Sequence, residues 1–293
     1  MVDPIQQTQF FERILFKSTG KELRVSQIRF ISGGCINNAI QLRTAEGDFF
    51  LKWNESKPVD FFDVEAKGLA LLKSSGAIRT PEVLGVGEVD GISFLLLEYI
   101  EDGYPRTIFW ERLGEQLADL HRNYGDAFGL PYNNFIGQLP QNNEPHKDGV
   151  TFFIEKRLRV QAGLALYNGL IKEEFLERME HFYEKLPKLL PEERPSLLHG
   201  DLWSGNFLVG ENFTPIILDP AVYYGAREAE LAFTRLFGGF DPIFYSAYEA
   251  SYPLESGFKD RFDIYNLYPL LVHTNLFGTS YLSGVLNVLN KYL

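Results

Sequence analysis

Apolar positions along the chain mark out a succession of short elements. Ile5, Phe10, Ile14 and Leu15 recur at helical spacing, so residues 5–17 are expected to open the chain with an amphipathic helix. Three β-prone runs follow at 25–31, 38–43 and 48–53, separated by turns containing Gly33-Gly34 and Glu46-Gly47-Asp48. Short strands joined by glycine turns predict an antiparallel meander. Over 59–73, Phe61, Leu69 and Leu72 return to one face, and Ser74-Ser75-Gly76 supplies a helix stop. Strands near 82–89 and 92–99 come next. After Glu101-Asp102-Gly103 the pattern turns helical over 110–122 and 150–190, with a Gly/Pro/Asn-rich stretch at 125–143 between them. Helices are also expected at 228–238, 242–251 and 267–292, the last broken near Gly278. The block 197–219 is the exception, with short apolar strands at 207–209 and 216–218 inside a helical half. A boundary near residue 102 divides 1–101, a small antiparallel sheet with one key helix, from 102–293, a larger and mostly helical part: an α+β architecture.

Length supports that division, because 293 residues exceed one ordinary core and suggest two lobes. The formal charge of −11, with no basic run longer than two residues, excludes a nucleic-acid footprint. An anionic ligand would then need metal cations, or a few lysines and backbone N–H groups aimed at it. Cys35 is the only cysteine, so no internal disulfide can form. The opening MVDPIQQTQFFERILF has neither the basic start nor the apolar core of a signal peptide, and apolar runs such as 94–97 are far short of a membrane span. The expectation is a cytoplasmic protein with no membrane contact.

The chemistry-bearing residues concentrate in HGDLWSGNFLV, 199–209. The strands at 207–209 and 216–218 should fold back on each other, and an antiparallel hairpin brings its two open ends together. Asn206 stands just before the first strand, Asp219 just after the second, and Asp201 five residues ahead of Asn206. Oxygen donors of this kind suit Mg²⁺, which takes one or two carboxylates and completes its shell with water and phosphate. Taken singly, Asp201 and Asn206 also fit ordinary turn residues beside glycine. That reading leaves Asp219 and Trp203 without a reason.

The first part of the chain carries two misplaced charges. Lys52 lies in FFLKWN, apolar on both faces, where an unpaired ammonium is costly to bury. Glu65 lies four residues after Phe61 and four before Leu69, on the apolar stripe of the next helix. An edge strand with a snorkelling lysine and a solvated helix flank would accommodate each one separately. Together they suggest an ion pair that holds phosphate. ISGGCINNA, with Gly33 and Gly34, is a turn whose N–H groups could cover phosphates, although it lacks the spacing of either common phosphate-loop motif.

In this order, glycine turn, strand Lys52, helix Glu65, H-G-D-x-x-x-x-N and strand-ending Asp219 resemble the bilobal protein-kinase-like fold. HGDL and LDP resemble its aminoglycoside phosphotransferase branch. LLHGDLWSGN, LDPAVYYGAREAELA and FGLPYNNFIGQLPQ are similar to the fructosamine kinase, or ketosamine-3-kinase, family, from about residue 10 to the C-terminus. The resemblance implies transfer of the ATP γ-phosphate to the 3-hydroxyl of a ketosamine such as fructosyl- or ribulosyl-lysine, and release of the amine from the unstable ester. By the same resemblance Asp201 is the catalytic base and Asn206 and Asp219 are Mg²⁺ ligands. Lys52 with Glu65 holds phosphate under Gly33 and Gly34, and the backbone of Glu98 to Ile100 is the adenine-binding hinge. Trp203 offers a ring face to the sugar, with a core anchor as the competing role. His199 is expected to bond backbone or Asp219, and Glu230 to steady the catalytic loop. Gly225-Ala226 and Gly149 depart from the family pattern at the substrate mouth.

Alternatives stay open at this point. The same fold serves kinases of aminoglycosides, choline, homoserine or methylthioribose. A nucleotide-binding pseudokinase would have lost one of Lys52, Asp201, Asn206 and Asp219, and a metal-dependent hydrolase would want more than five histidines. A monomer is expected, with Cys35 as the position through which two chains could become linked by oxidation.

Overall fold

The computed structural model describes residues 4–31, 38–55 and 60–293. Gly33, Gly34 and Cys35 lie outside the described residues, as does Val59 at the expected start of the second helix. The elements in chain order are α1 (Pro4–Thr19), β1 (Val25–Phe30), β2 (Asn38–Thr44), β3 (Gly47–Asn54), α2 (Phe61–Ser74), β4 (Val83–Val89), β5 (Ile92–Glu98) and α3 (Thr107–His121). A hairpin of β6 (Asn134–Ile136) and β7 (Leu139–Gln141) precedes a helical run of α4 (Gly149–Phe152), a π-helical turn Phe153–Leu158 and α5 (Arg159–Tyr167). Then come α6 (Glu173–Tyr183), α7 (Leu186–Leu189), β8 (Ser196–Leu198), β9 (Phe207–Val209), β10 (Pro215–Ile217) and β11 (Tyr223–Gly225). Five helices close the chain: α8 (Arg227–Leu236), α9 (Pro242–Ser251), α10 (Phe258–Tyr265), α11 (Leu267–Phe277) and α12 (Leu282–Tyr292).

The chain divides into two compact units, Met1–Phe109 with Phe207–Pro220, and Trp110–Asn206 with Ala221–Leu293. In the first, the expected meander is an antiparallel sheet of order β1-β2-β3-β5-β4. Period-two alternation sends Ile40, Leu42, Leu51, Trp53, Phe94 and Leu96 to one face, where they pack on Phe11, Ile14 and Leu15 of α1. The hairpin β9/β10 belongs to this unit although it is remote along the chain. It is tied on by Ile217 N–H donating to the Arg79 carbonyl at 3.0 Å and by Gly103 N–H donating to the Val209 carbonyl at 2.9 Å.

The second unit is helical, with two features the apolar pattern does not announce. β8 pairs with β11, and within the stretch 125–143, expected to be a loop, β6 pairs with β7. Strands of three residues are too short to show alternation, so turn-prone composition dominates the reading. α10 is likewise absent from the expected elements. Gly278, at φ +97°, does break the terminal helix where expected.

The crossing of α3 over α9 depends on one small residue. A Cβ on Gly114 would sit 2.4 Å from the Phe244 carbonyl oxygen and 2.9 Å from the Tyr248 nitrogen. Gly163, in α5, has nothing within 4 Å of the corresponding position. Gly114→Ala should therefore lower stability by about 1–3 kcal/mol through overpacking. Gly163→Ala should raise it by about 0.5–1 kcal/mol through helix propensity alone. Urea denaturation of both variants measures the opposite signs, and equal signs would contradict this packing.

Candidate active site

The first unit presents Lys52 in a setting that the edge-strand reading does not allow. β3 is a central strand, with Ala39 paired to Lys52 on one side and Leu95 on the other. Leu51 and Trp53 point into the α1 core, so alternation turns Lys52 to the opposite face. There it is only 5% exposed, which excludes a snorkelling edge lysine. Its Nζ donates to Glu65 Oε1 at 2.8 Å and, in a closer contact, to Asp219 Oδ1. Glu65 is not a solvated flank. It stands between buried Phe61 and Leu69 on α2 and faces Lys52.

Burial opposes the Lys52 charge, but the carboxylates of Asp219 and Glu65 outweigh it and hold the ammonium's pKa above its ordinary value. For Glu65 burial is the larger influence and pushes its carboxyl up, with Lys52 pulling the other way. The lysine's charge is thus secured by its surroundings. Asp219 is the more open of its two partners, with a side chain 38% exposed. Its backbone adopts φ +58°, a left-handed conformation that aspartate tolerates better than most residues.

Asp219 is delivered by the hairpin β9/β10, in which Phe207 pairs with Ile217. The open end of that pair is the end the chain enters after Asn206 and leaves toward Asp219. Glu98, at the end of β5, closes the other side of the same framework. Its carboxylate accepts from Arg79 Nη2 at 3.0 Å and from Glu82 N–H at 2.9 Å. Its side chain is thus committed to structure, and its backbone N–H donates to the Glu82 carbonyl at 3.0 Å.

The second unit holds Asp201 and Asn206 in one loop. β8 runs into His199, and Gly200 follows at φ +85°. A Cβ there would lie 2.1 Å from the Ala221 carbonyl oxygen, so this position requires glycine. Glu230, in the first turn of α8 and buried, accepts from His199 N–H at 3.1 Å and Gly200 N–H at 2.7 Å. It also accepts from His121 Nε2 at 2.9 Å, whose other ring nitrogen lies 2.7 Å from the Tyr248 hydroxyl. Burial alone would raise the Glu230 carboxyl, but the His121 hydrogen bond and the further donors hold it below the ordinary carboxylate value. His199 itself bonds backbone, its Nδ1 accepting from Asp201 N–H at 3.3 Å. The neighbouring Arg227 and Glu228 are paired with Glu193 at 3.1 Å and Arg261 at 2.6 Å.

Asn206 is buried, and its amide nitrogen donates to the Asp201 carbonyl at 2.8 Å and to Asp201 Oδ2 at 3.1 Å. This fixes the Asp201 carboxylate and turns Asn206 so that Oδ1 is its one atom suited to a cation. Trp203 is half-buried, its ring laid over the backbone of Gly205. It is neither a full core anchor nor a free plate. His121 went unnoticed in the sequence, where one histidine at the end of an amphipathic helix carries no pattern; its role depends on Glu230, more than a hundred residues away.

A family model described as fructosamine kinase matches residues 7–293. A probable ketoamine kinase of Lactiplantibacillus plantarum is 40% identical over 274 residues, covering 92% of this chain and 95% of that protein. A chloroplastic protein-ribulosamine 3-kinase of Arabidopsis thaliana is 37% identical, covering 94% and 85%. Among crystal structures, a protein of Haemophilus somnus described as a candidate fructosamine-3-kinase superposes with a TM-score of 0.88 at 30% identity, covering 99% of this chain and 100% of that one. Aminoglycoside phosphotransferases share the fold, at TM-scores of 0.59 to 0.63 and 16 to 17% identity. With a family model spanning almost its whole length and relatives well above 30% identity, the chain belongs to the fructosamine kinase family.

Proposed function

We propose that the protein is an ATP-dependent kinase that phosphorylates the 3-hydroxyl of ketosamines such as fructosyl- or ribulosyl-lysine, so that the sugar is shed and the amine restored. The reading takes its acceptor from the relatives, which carry ketoamine kinase and ribulosamine 3-kinase names over most of their length. The observation that carries the phosphoryl-transfer part is the buried Lys52 ammonium shared by Glu65 and Asp219. A charge held at that cost, in a protein of net charge −11, is suited to polyphosphate. A cytoplasmic setting, where ATP is plentiful, fits this activity.

Asp201 is the proposed proton acceptor for the sugar hydroxyl, with Asn206 orienting its carboxylate. The backbone of Glu98 to Ile100 would take the adenine, and the half-buried face of Trp203 would lie against the sugar. Asn206 Oδ1 and the Asp219 carboxylate are oxygen donors of the kind Mg²⁺ prefers, and these two residues would hold it. When bound, the ion neutralises phosphate charge. Lys52 would contribute a fixed positive charge to the phosphates, with Glu65 keeping its ammonium in place.

Phosphorus NMR of a reaction containing Mg·ATP and fructosyl- or ribulosyl-lysine should show a new sugar phosphate ester. If ATP is consumed only with another alcohol, such as an aminoglycoside or choline, the acceptor assignment falls. Asp201→Asn should lower kcat by about 10²–10⁴ while leaving the KM for Mg·ATP nearly unchanged.

Lys52→Met should weaken nucleotide binding and also destabilise the fold, since breaking a buried pair costs about 3–5 kcal/mol. The pH dependence has a definite sign. Without Lys52, Glu65 keeps the burial that raises its carboxyl and loses the partner that lowered it. A raised folded-state pKa stabilises at low pH and loses that contribution as pH rises. The stability deficit of Lys52→Met should therefore widen as pH rises above the ordinary glutamate value, as read by urea denaturation. A deficit independent of pH would mean that Glu65 is not left uncompensated.

A further inference from the structure

Against β11, the strand paired with the one that enters the catalytic loop, lies a set of buried polar side chains that the mechanism does not use. Arg157, in the π-helical turn, is 0% exposed. Its guanidinium sits 4.1 Å from the ring centroid of Tyr223, 4.6 Å from Phe152 and 5.4 Å from Tyr268. Its hydrogen bonds go to peptide and amide oxygens: Nη1 to the Asn142 carbonyl at 2.6 Å and the Lys156 carbonyl at 3.1 Å, Nη2 to Asn143 Oδ1 at 2.7 Å. Among the described residues none of these bonds reaches a carboxylate, and Nε is buried without a partner. A cation this costly to bury calls for a purpose other than stability.

The purpose is legible in the direction of the bonds. Asn143 receives from Arg157 on its oxygen, so its nitrogen donates onward, to Asn134 Oδ1 at 2.7 Å and the Tyr132 carbonyl at 3.3 Å. Asn134 then donates to the Val222 carbonyl at 2.9 Å. From the other side the Tyr268 hydroxyl donates to Gln141 Oε1 at 2.7 Å, and Gln141 Nε2 donates to Asn134 Oδ1 at 2.8 Å and to the Ala221 carbonyl at 3.1 Å. Arginine can only donate and a peptide carbonyl can only accept, so the network has one permitted sense, fixed by Arg157 at one end and by the carbonyls at the other. It ends on Ala221 and Val222, and Ala221 N–H donates in turn to the His199 carbonyl at 2.9 Å.

We propose that Arg157 is a positioning residue for the phosphoryl acceptor: by setting the direction of this amide chain it holds the segment 128–143 against the strand that braces the catalytic loop, and that segment forms a wall of the acceptor site. The exposed side of the same framework has suitable chemistry. Gly129 and Tyr224 exchange backbone hydrogen bonds of 2.8 and 3.1 Å. Tyr223 faces Arg157, so alternation turns half-buried Tyr224 the other way. Burial raises the phenol pKa of Tyr224, and so does the charge of Asp126; Tyr132, whose phenol burial likewise raises, is close enough to feel Tyr224. Phenols and a carboxylate suit a polyol carrying a secondary ammonium. The network and the residues it holds all lie in the second unit, whereas Lys52, Glu65 and Asp219 lie in the first. Loosening it should therefore disturb the acceptor and spare the nucleotide. The identity of the acceptor rests on the ketosamine kinase reading, whereas the clamp rests on the geometry.

The test uses Asn143→Asp and Gln141→Glu, which keep shape but replace an amide that donates two hydrogen bonds with a carboxylate that donates none, and Arg157→Lys, which keeps charge and removes the planar fork. Initial rates should show the KM for fructosyl-lysine raised about tenfold or more, the KM for Mg·ATP within about twofold of wild type, and kcat affected less than the acceptor KM. Amide hydrogen exchange should rise in 128–143 and stay unchanged in α5 and α6. Should any of these variants fail to fold, Tyr268→Phe removes a single hydroxyl and should shift the same ratio in the same direction. Both KM values moving together, or exchange rising uniformly, would reduce Arg157 to a structural residue and overturn the proposal. So would unchanged kinetics and exchange. If the wild-type enzyme turns over a different alcohol, the functional reading fails, and the same ratio measured on that alcohol still decides the clamp. If it turns over none, the pattern of hydrogen exchange decides it.

Discussion

An ammonium on the central strand of a buried sheet can persist only if carboxylates come to meet it, and the first unit is organised around that requirement. Lys52 draws Glu65 from α2 and Asp219 from 167 residues further along the chain. Three pieces of backbone are thereby held in one register. Apolar side chains of the same volume would pack at least as stably, because desolvating three charges offsets most of their mutual attraction. What the charges provide is a definite place for each carboxylate, and a lysine that stays protonated. The left-handed backbone at Asp219 belongs to the same arrangement, since it is tolerated only where the surroundings over-determine it.

The second unit solves a related problem with a single carboxylate. Glu230 gathers the His199 and Gly200 amides together with the His121 imidazole, so the turn leading into Asp201 is pinned from behind by donors it cannot exchange for water. Gly200 is then obligatory for two independent reasons: its positive φ and the carbonyl of Ala221 pressed against it. Neither Glu230 nor His121 needs to touch substrate to matter. Their work is to leave Asp201 with one conformation, which Asn206 fixes by donating to both its backbone and its side chain.

How much of this the sequence discloses depends on whether a residue breaks its local pattern. Lys52 and Glu65 stand out because a charge interrupts an apolar strand and an apolar helix stripe. Asp201, Asn206 and Asp219 stand out because they cluster at the ends of two short apolar runs. Glu230 shows only as an acid in a helix's first turn, a position that charge near a helix N-terminus would explain by itself. His121 and Arg157 show nothing, since one ends an amphipathic helix and the other lies in a short π-helical turn, each among residues that tolerate either burial or exposure. The three-residue strands β6, β7, β8 and β11 escape periodicity altogether. Their pairing is dictated by tertiary hydrogen bonds, and a turn-rich composition disguises them.

The amide network below the loop shows why a costly arginine survives where a methionine would fit. An apolar side chain at 157 would remove the desolvation penalty, but would leave Asn143 Oδ1 buried with no donor. The amides of Asn143, Asn134 and Gln141 could then flip, since an amide presents similar shapes in both senses. Each flip would set like against like somewhere along the chain, at Tyr132, Ala221 or Val222. A donor-only residue at one end and acceptor-only carbonyls at the other leave a single arrangement that satisfies every member. Stability is surrendered for uniqueness, and uniqueness is needed where the segment being held is hydrogen-bonded directly to His199, the residue before the glycine that the turn requires.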